Sequence, residues 1–186
     1  MQEQQKFFLE QLATFRYVPW EQIPDLGLYM DQVITFVERQ YKGLYGAEGR
    51  IVTPTMVNNY VKMGLVNRPV SKKYGKEQLA QLLMICTLKQ GASAEGMKRL
   101  LALPEGGTVQ ALYEEFCRQQ RQVFDELGSV LPLPSLMDGA LRNAAYGFWC
   151  NAVLQPEKKA EPEKARRSSA KGHGVESHRG EDAMEK

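Results

Sequence analysis

The chain has 186 residues, 43% of them hydrophobic and 25% charged, with a formal net charge of +2. That length and apolar content suffice for a buried core, and the charge total by itself favours no class of partner. Three cysteines, Cys86, Cys117 and Cys150, lie far apart in segments of helical pattern, which excludes a disulfide framework and a paired-cysteine zinc site and leaves them as small apolar side chains.

Residues 2–15 predict a helix with Phe8, Leu12 and Phe15 on one face, and Tyr17–Tyr29, with Pro19 and Pro24, predicts a crossing segment. Asp31 reads as the N-cap of a helix that buries Val33, Phe36, Val37 and Tyr41. Gly43, Gly46 and Gly49 end it in a loop, and Arg50-Ile51-Val52 is expected to add a short strand. Thr53 and Pro54 then open a helix that runs to Met63, because Thr caps the first turn and Pro at its first position has no N–H to satisfy. Gly64 supplies the left-handed residue that ends it. Val66–Tyr74 reads as a short hairpin or wing. Gly75 precedes a helix from Lys76 to Lys89 that buries Leu79, Leu82, Leu83 and Cys86, and Ser93 caps a short helix with Met97, Leu100 and Leu101 inside. After a boundary at Pro104–Gly107, a helix over Thr108–Leu127 carries Leu112, Phe116, Val123 and Leu127 at spacings of four, seven and four, a narrow seam for one partner helix. A last helix spans 135–154. The polar stretch from 156 to 186 has too few apolar residues for a core and is expected to be disordered.

The organisation that follows is mainly α: residues 1–28 as N-terminal helix and crossing segment, 29–103 as a winged helix-turn-helix domain, 104–155 as a helical pair, and 156–186 as a tail. The N-terminal residues do not read as a secretion signal, and the longest apolar run, Leu79–Leu88, is too short for a bilayer span. A soluble cytoplasmic protein without membrane contact is expected.

The helix from Pro54 to Met63 carries the chemistry. Val57, Tyr60 and Val61 form its inner stripe, and Thr55, Asn58, Asn59 and Lys62 its outer one. That outer face holds amide and hydroxyl groups ending in a cation, with no acid. Asn pairs with adenine through both its amide groups, and Thr reaches a thymine methyl or a phosphate. From Arg50 to Lys76 the only charges are basic, at 50, 62, 68, 72, 73 and 76, so the local field is positive although the whole chain is nearly neutral. The expected interface with double-stranded DNA is therefore Thr53, Thr55, Asn58, Asn59, Tyr60 and Lys62 from the helix, with Arg68, Lys72, Lys73 and Tyr74 from the wing. Tyr74 is expected first to pack.

The runs TPTMVNNYVKMGLV and KYGKEQLAQLLMICTLKQGASAEGMKRLL resemble the DNA-binding domain of the MerR class of regulators. In that class a Gly-Leu pair, here Gly64-Leu65, ends the recognition helix, and a basic wing closes on a Tyr before a Leu-rich helix. A closer similarity is to the bacterial family designated domain of unknown function 1836, carried by LYMDQVITFVERQ, TPTMVNNYVKMGLV and the LMICTLKQ helix over roughly residues 24–103. The MerR resemblance implies a helix-turn-helix fold and a homodimer formed by a long helix, for which Leu112, Phe116, Val123 and Leu127 are the candidate seam; packing of that helix on the last one within one chain is the other reading. The chain departs from the MerR pattern in having Asn58-Asn59-Tyr60 where Arg-Tyr-Tyr is usual, a shorter wing and a longer loop over 42–52.

No catalytic constellation is present. The only histidines, His173 and His178, fall in the polar tail, and Asp138 with Arg142 reads as a helix ion pair. No phosphate loop, metal ligand set or cofactor is implied. A sequence-specific transcriptional regulator is the expected function. The alternative is a protein-interaction adaptor on the same scaffold. A small-molecule pocket around Phe116, Tyr146, Phe148 and Trp149 is a weaker third reading.

Overall fold

Residues 2–44, 50–131 and 135–154 are described by the structure, a computed structural model. Gly46, Gly49, Pro132, Pro134, both histidines and the polar tail lie outside them. Among the described residues the chain folds into seven α-helices and one 3-10 turn, with isolated β-bridges in place of strands. This is the mainly α architecture expected. In chain order come α1 (Gln2–Thr14), the 3-10 turn (Trp20–Gln22), α2 (Met30–Tyr41), α3 (Pro54–Lys62), α4 (Lys76–Leu88), α5 (Ala94–Leu100), α6 (Val109–Val130) and α7 (Leu136–Val153).

Helix α4 is the centre of the core. Leu79, Ala80, Leu82, Leu83, Met84, Ile85 and Cys86 are all buried, so the helix is apolar on every side and has to be surrounded. Helices α2 and α6 pack on it, and α1 packs on α6. Each fully buried Leu or Ile here contributes about 1.5–3 kcal/mol. Gln78 Oε1 accepts the N–H of Gly75 at 3.0 Å, which satisfies one of the backbone donors at the helix start.

Above α4 sits a cluster of aromatic rings: Phe15 and Tyr17 edge to face at 5.0 Å, Tyr17 and Phe116 at 5.3 Å, Tyr17 and Tyr41 at 5.9 Å. Its hydroxyls are satisfied internally. Tyr41 donates to the Leu83 carbonyl, Tyr41 and Thr87 lie 2.7 Å apart, and Tyr17 reaches both Tyr41 and Thr87. Burial pushes the Tyr17 phenol up to about 12 and the Tyr41 phenol well above its ordinary range.

Three local expectations are corrected. Tyr29, not Asp31, is the N-cap of α2, because Gln32 Oε1 takes the Tyr29 N–H at 2.9 Å and the helix starts two residues earlier than an Asp31 cap implies. Arg50-Ile51-Val52 forms no strand. Ile51 and Val52 are buried in an irregular connection, where the Lys89 ammonium donates to the Ile51 carbonyl. In α5, Met97 is buried but Leu100 is exposed.

The inner face of α6 is Val109, Tyr113 and Gln120, with Leu112, Phe116, Cys117 and Phe124 half-buried beside them. Tyr113 sets this rotation by donating from its hydroxyl to the Val18 carbonyl at 2.8 Å. Among the described residues no helix is long and apolar enough to cross a membrane.

Candidate nucleic-acid interface

Helix α3 is delimited by local chemistry at both ends. Thr53 Oγ1 accepts the Met56 N–H at 3.2 Å, and Pro54 occupies the first turn. At the other end Gly64 takes φ +73°. The Leu65 N–H reaches the Tyr60 carbonyl at 2.9 Å and the Gly64 N–H the Val61 carbonyl at 3.1 Å. These are the two bonds of a Schellman cap, completed by apolar contact between the residue after the glycine and the last turn. Leu65 and Tyr60 are both buried.

That framing fixes which face is presented. Val57 is wholly buried and Tyr60 nearly so, while Thr55, Asn58, Asn59 and Lys62 are exposed together on the opposite side. Tyr60 faces the core, where desolvation raises its phenol pKa, so its ring is a packing element. Thr53 is half-buried and its hydroxyl oxygen is engaged in capping.

The segment after α3 is anchored at its base. The Asn67 N–H donates to Gln81 Oε1 at 3.0 Å and Val66 is buried. Val70 and Lys73 then exchange backbone hydrogen bonds at 3.0 and 2.9 Å around a two-residue turn, Ser71-Lys72. Both turn residues have positive φ, 50° and 64°. That is the pattern of a type I′ hairpin turn, normally filled by Asn-Gly. Tyr74 pairs in turn with Leu28, ahead of α2. Tyr74 is buried, with its phenol pKa raised by burial, so it too packs.

The charges of this region divide into two groups. Lys76 is committed: its ammonium lies 2.9 Å from Asp25 and over the Trp20 ring at 5.4 Å. Lys73 lies over the Tyr29 ring at 5.2 Å, a cation–π contact that holds its direction and leaves its charge exposed. Among the described residues no acid is paired with Lys62, Arg68 or Lys72, all of them exposed. The structural roles of Tyr29, Asp25 and Trp20 carry no signal in the sequence, since each depends on a partner from another segment.

The other candidate residues are dispersed. Leu112 and Phe116 pack against the core, whereas Val123 and Leu127 on the far half of α6 are exposed. The main partners of α6 are α4 and α1 rather than α7. Phe116 belongs to the aromatic cluster while Tyr146, Phe148 and Trp149 face solvent on α7, so these four line no common pocket. Among the described residues no group of His, Cys, Asp and Glu side chains is placed to hold a metal.

The region so defined is a capped amphipathic helix that packs against α2, followed by a minimal hairpin whose base is bonded to Gln81 of the apolar central helix. The family model described as a domain of unknown function, DUF1836, matches residues 18–116, from the crossing segment to the first half of α6, and the chain belongs to this family. No curated protein and no solved structure matches it.

Proposed function

We propose that the protein is a sequence-specific binder of double-stranded DNA, a transcriptional regulator rather than an enzyme. In this reading α2 and α3 act as a MerR-like helix-turn-helix and Val66–Tyr74 as its wing. The observation that carries it is the exposed face of α3, where Thr55, Asn58, Asn59 and Lys62 stand together without an acid. A face that only needs solvation more often carries Glu and Lys pairs. Short amide groups on a rigid helix are suited to base edges in a major groove, and Arg68, Lys72 and Lys73 on the wing to flanking phosphates. The conformation of Lys72 supports the same reading. A lysine in the left-handed region costs about 1 kcal/mol relative to glycine, and what it places at the hairpin tip is a positive charge that no acid among the described residues pairs.

A second reading, a protein-interaction adaptor on this scaffold, is favoured by Leu26 and Val70, which are 83% and 75% exposed. Selection of genomic DNA fragments on the purified protein at two salt concentrations separates the two. Enrichment of one motif with steep salt dependence is the expected result. Absence of retention at low salt, where about six phosphate contacts would give strong binding, would remove the DNA reading and leave the adaptor.

A further inference from the structure

The side chain of Lys73 is laid across the segment ahead of α2. A Cβ added to Gly27 would stand 2.8 Å from Lys73 Cβ, 3.3 Å from its Cδ and 3.6 Å from its Cγ, so the lysine stem fills the space that the glycine leaves open. Beyond that stem the ammonium comes to rest over the Tyr29 ring, 5.2 Å from its centre. Both sides of this contact are anchored through the backbone. Lys73 exchanges hydrogen bonds with Val70, and Leu28, between Gly27 and Tyr29, exchanges its own with Tyr74. The Tyr29 N–H is held by Gln32 Oε1 at the start of α2.

An exposed lysine that serves only solubility has no need of such a track, because ordering its long side chain costs rotamer freedom. Lys76 makes the contrast. Its ammonium also lies over an aromatic ring, that of Trp20, but Asp25 stands 2.9 Å away and neutralises it. Among the described residues no acid is paired with Lys73, and both Lys73 and Tyr29 are exposed. A ring in place of a carboxylate fixes the direction of the charge without cancelling it.

We infer that Tyr29 is a positioning residue of the proposed DNA interface: with Gly27 beneath the stem, its ring holds the Lys73 ammonium ready for a phosphate of the duplex backbone. This role rests on the DNA-binding reading and extends it to a segment outside both the helix and the wing. A directed cation with no acid to pair it complements a fixed anion, and Arg68 and Lys72 on the same wing carry the same sign. Because the side chain is ordered before DNA arrives, less freedom is lost when the phosphate contact forms.

The test is binding of the full chain to random-sequence duplex DNA across a range of salt concentrations. Lys73→Met keeps a stem and removes the charge, and is expected to lower the slope of log affinity against log salt by about 0.9. Tyr29→Leu keeps every charge and is expected to weaken binding about two- to fivefold, the worth of an exposed cation–π contact. Made in the Lys73→Met chain, it is expected to have no further effect. Tyr29→Phe keeps the ring and is expected to restore the affinity that Tyr29→Leu loses. In the free protein the ε-methylene protons of Lys73 are expected to be shifted upfield by the ring, and to lose that shift in Tyr29→Leu. Tyr29 bonds to Gln32 through its backbone N–H, so helical circular dichroism is expected to be unchanged in these variants. Losses that add in the double variant overturn the role of Tyr29 and leave DNA binding standing. The same holds for a Tyr29→Leu chain that binds like the wild type, a Tyr29→Phe chain no better than Tyr29→Leu, an unshifted Lys73 in the wild type, or an unchanged salt slope in Lys73→Met. A wild-type chain that retains no duplex at low salt overturns the DNA reading and the role of Tyr29 together.

Discussion

Leu28 and Tyr74 exchange both of their backbone hydrogen bonds, each at 2.9 Å, and so tie the wing to the residue just ahead of α2. The pair Val70 and Lys73 lies one step further out, so two isolated bridges follow one another here without forming strands. A hairpin this small has no stability of its own. Its orientation is set by the buried ring of Tyr74 and by Lys73 against Tyr29. The hairpin is therefore fastened to the segment that leads into α2.

Gly27 is where that coupling can be broken. A Cβ added there would stand 2.8 Å from Lys73 Cβ, an atom rooted in the backbone of the wing. Gly27→Ala is expected to destabilise the fold by about 1–3 kcal/mol. It should also speed amide exchange at Leu28 and Tyr74 more than at α4. Equal exchange at both sites with an unchanged Tm would mean that the wing yields without loss.

The turn at Ser71-Lys72 predicts a gain instead. Replacing the pair by Asn-Gly supplies residues that adopt positive φ readily, and the double variant is expected to gain about 1 kcal/mol. In a chain of this size that raises Tm by about 2–4 °C per kcal/mol. Ser71→Asn alone keeps the lysine and is expected to be more stable with DNA affinity intact. The double variant is expected to lose one phosphate contact, lowering the slope of log affinity against log salt by about 0.9. A double variant that loses stability would show that the turn is not held at a conformational cost.

What could be read from the sequence was whatever is set by neighbouring residues. Thr53-Pro54 and Gly64 frame α3 because capping is local, and the run from Leu79 to Cys86 marks α4 because a fully buried helix needs no polar face. The inner face of α6 was legible only in part. A stripe drawn through Leu, Phe and Val misses Tyr113 and Gln120, and Tyr113 is held by a carbonyl from the far end of the chain. The hairpin within Val66–Tyr74 was legible, but the place of its turn was not, because Ser-Lys is a poor signal for it. In the basic run Lys76 reads as a free charge, but Asp25 and Trp20 lie against it. Such partners come from distant segments, and periodicity does not encode them.

The buried phenols and thiols predict an alkaline limit to stability. Folding raises Tyr17 from 10.0 to about 12, and raises Cys86 and Cys117 from 9.0 to about 11. Below pH 9 these groups are protonated in both states, and their share of the stability is fully present. As pH rises the unfolded chain ionises first, so stability is lost from about pH 9 upward, until the folded groups ionise as well near 11 to 12. Tyrosinate absorbance is expected to rise together with loss of helical circular dichroism. Tyr41→Phe, which leaves Thr87 and Tyr17 short of a partner, is expected to cost about 1–3 kcal/mol at neutral pH. Smooth tyrosine ionisation without unfolding would argue that the cluster opens to solvent freely.

The two parts of the proposed DNA interface should fail differently. On the proposed reading Asn58 and Asn59 present amides to base edges, so Asn58→Ala or Asn59→Ala is expected to cost about 1–3 kcal/mol on the selected site and little on random DNA. Among the described residues no acid is paired with Lys62, Arg68 or Lys72, and replacing any one by Ala is expected to weaken all sequences alike and flatten the salt dependence. Both sets are exposed, so the folded state should survive each change, which keeps loss of binding separate from loss of structure. Competition titrations of each variant with selected and random duplexes measure the difference. A uniform loss from the Asn variants would leave α3 as a phosphate-binding element and move base recognition elsewhere in the molecule. A site-specific loss from Lys72→Ala would instead place the tip of the wing against bases, with the left-handed turn as the device that aims it.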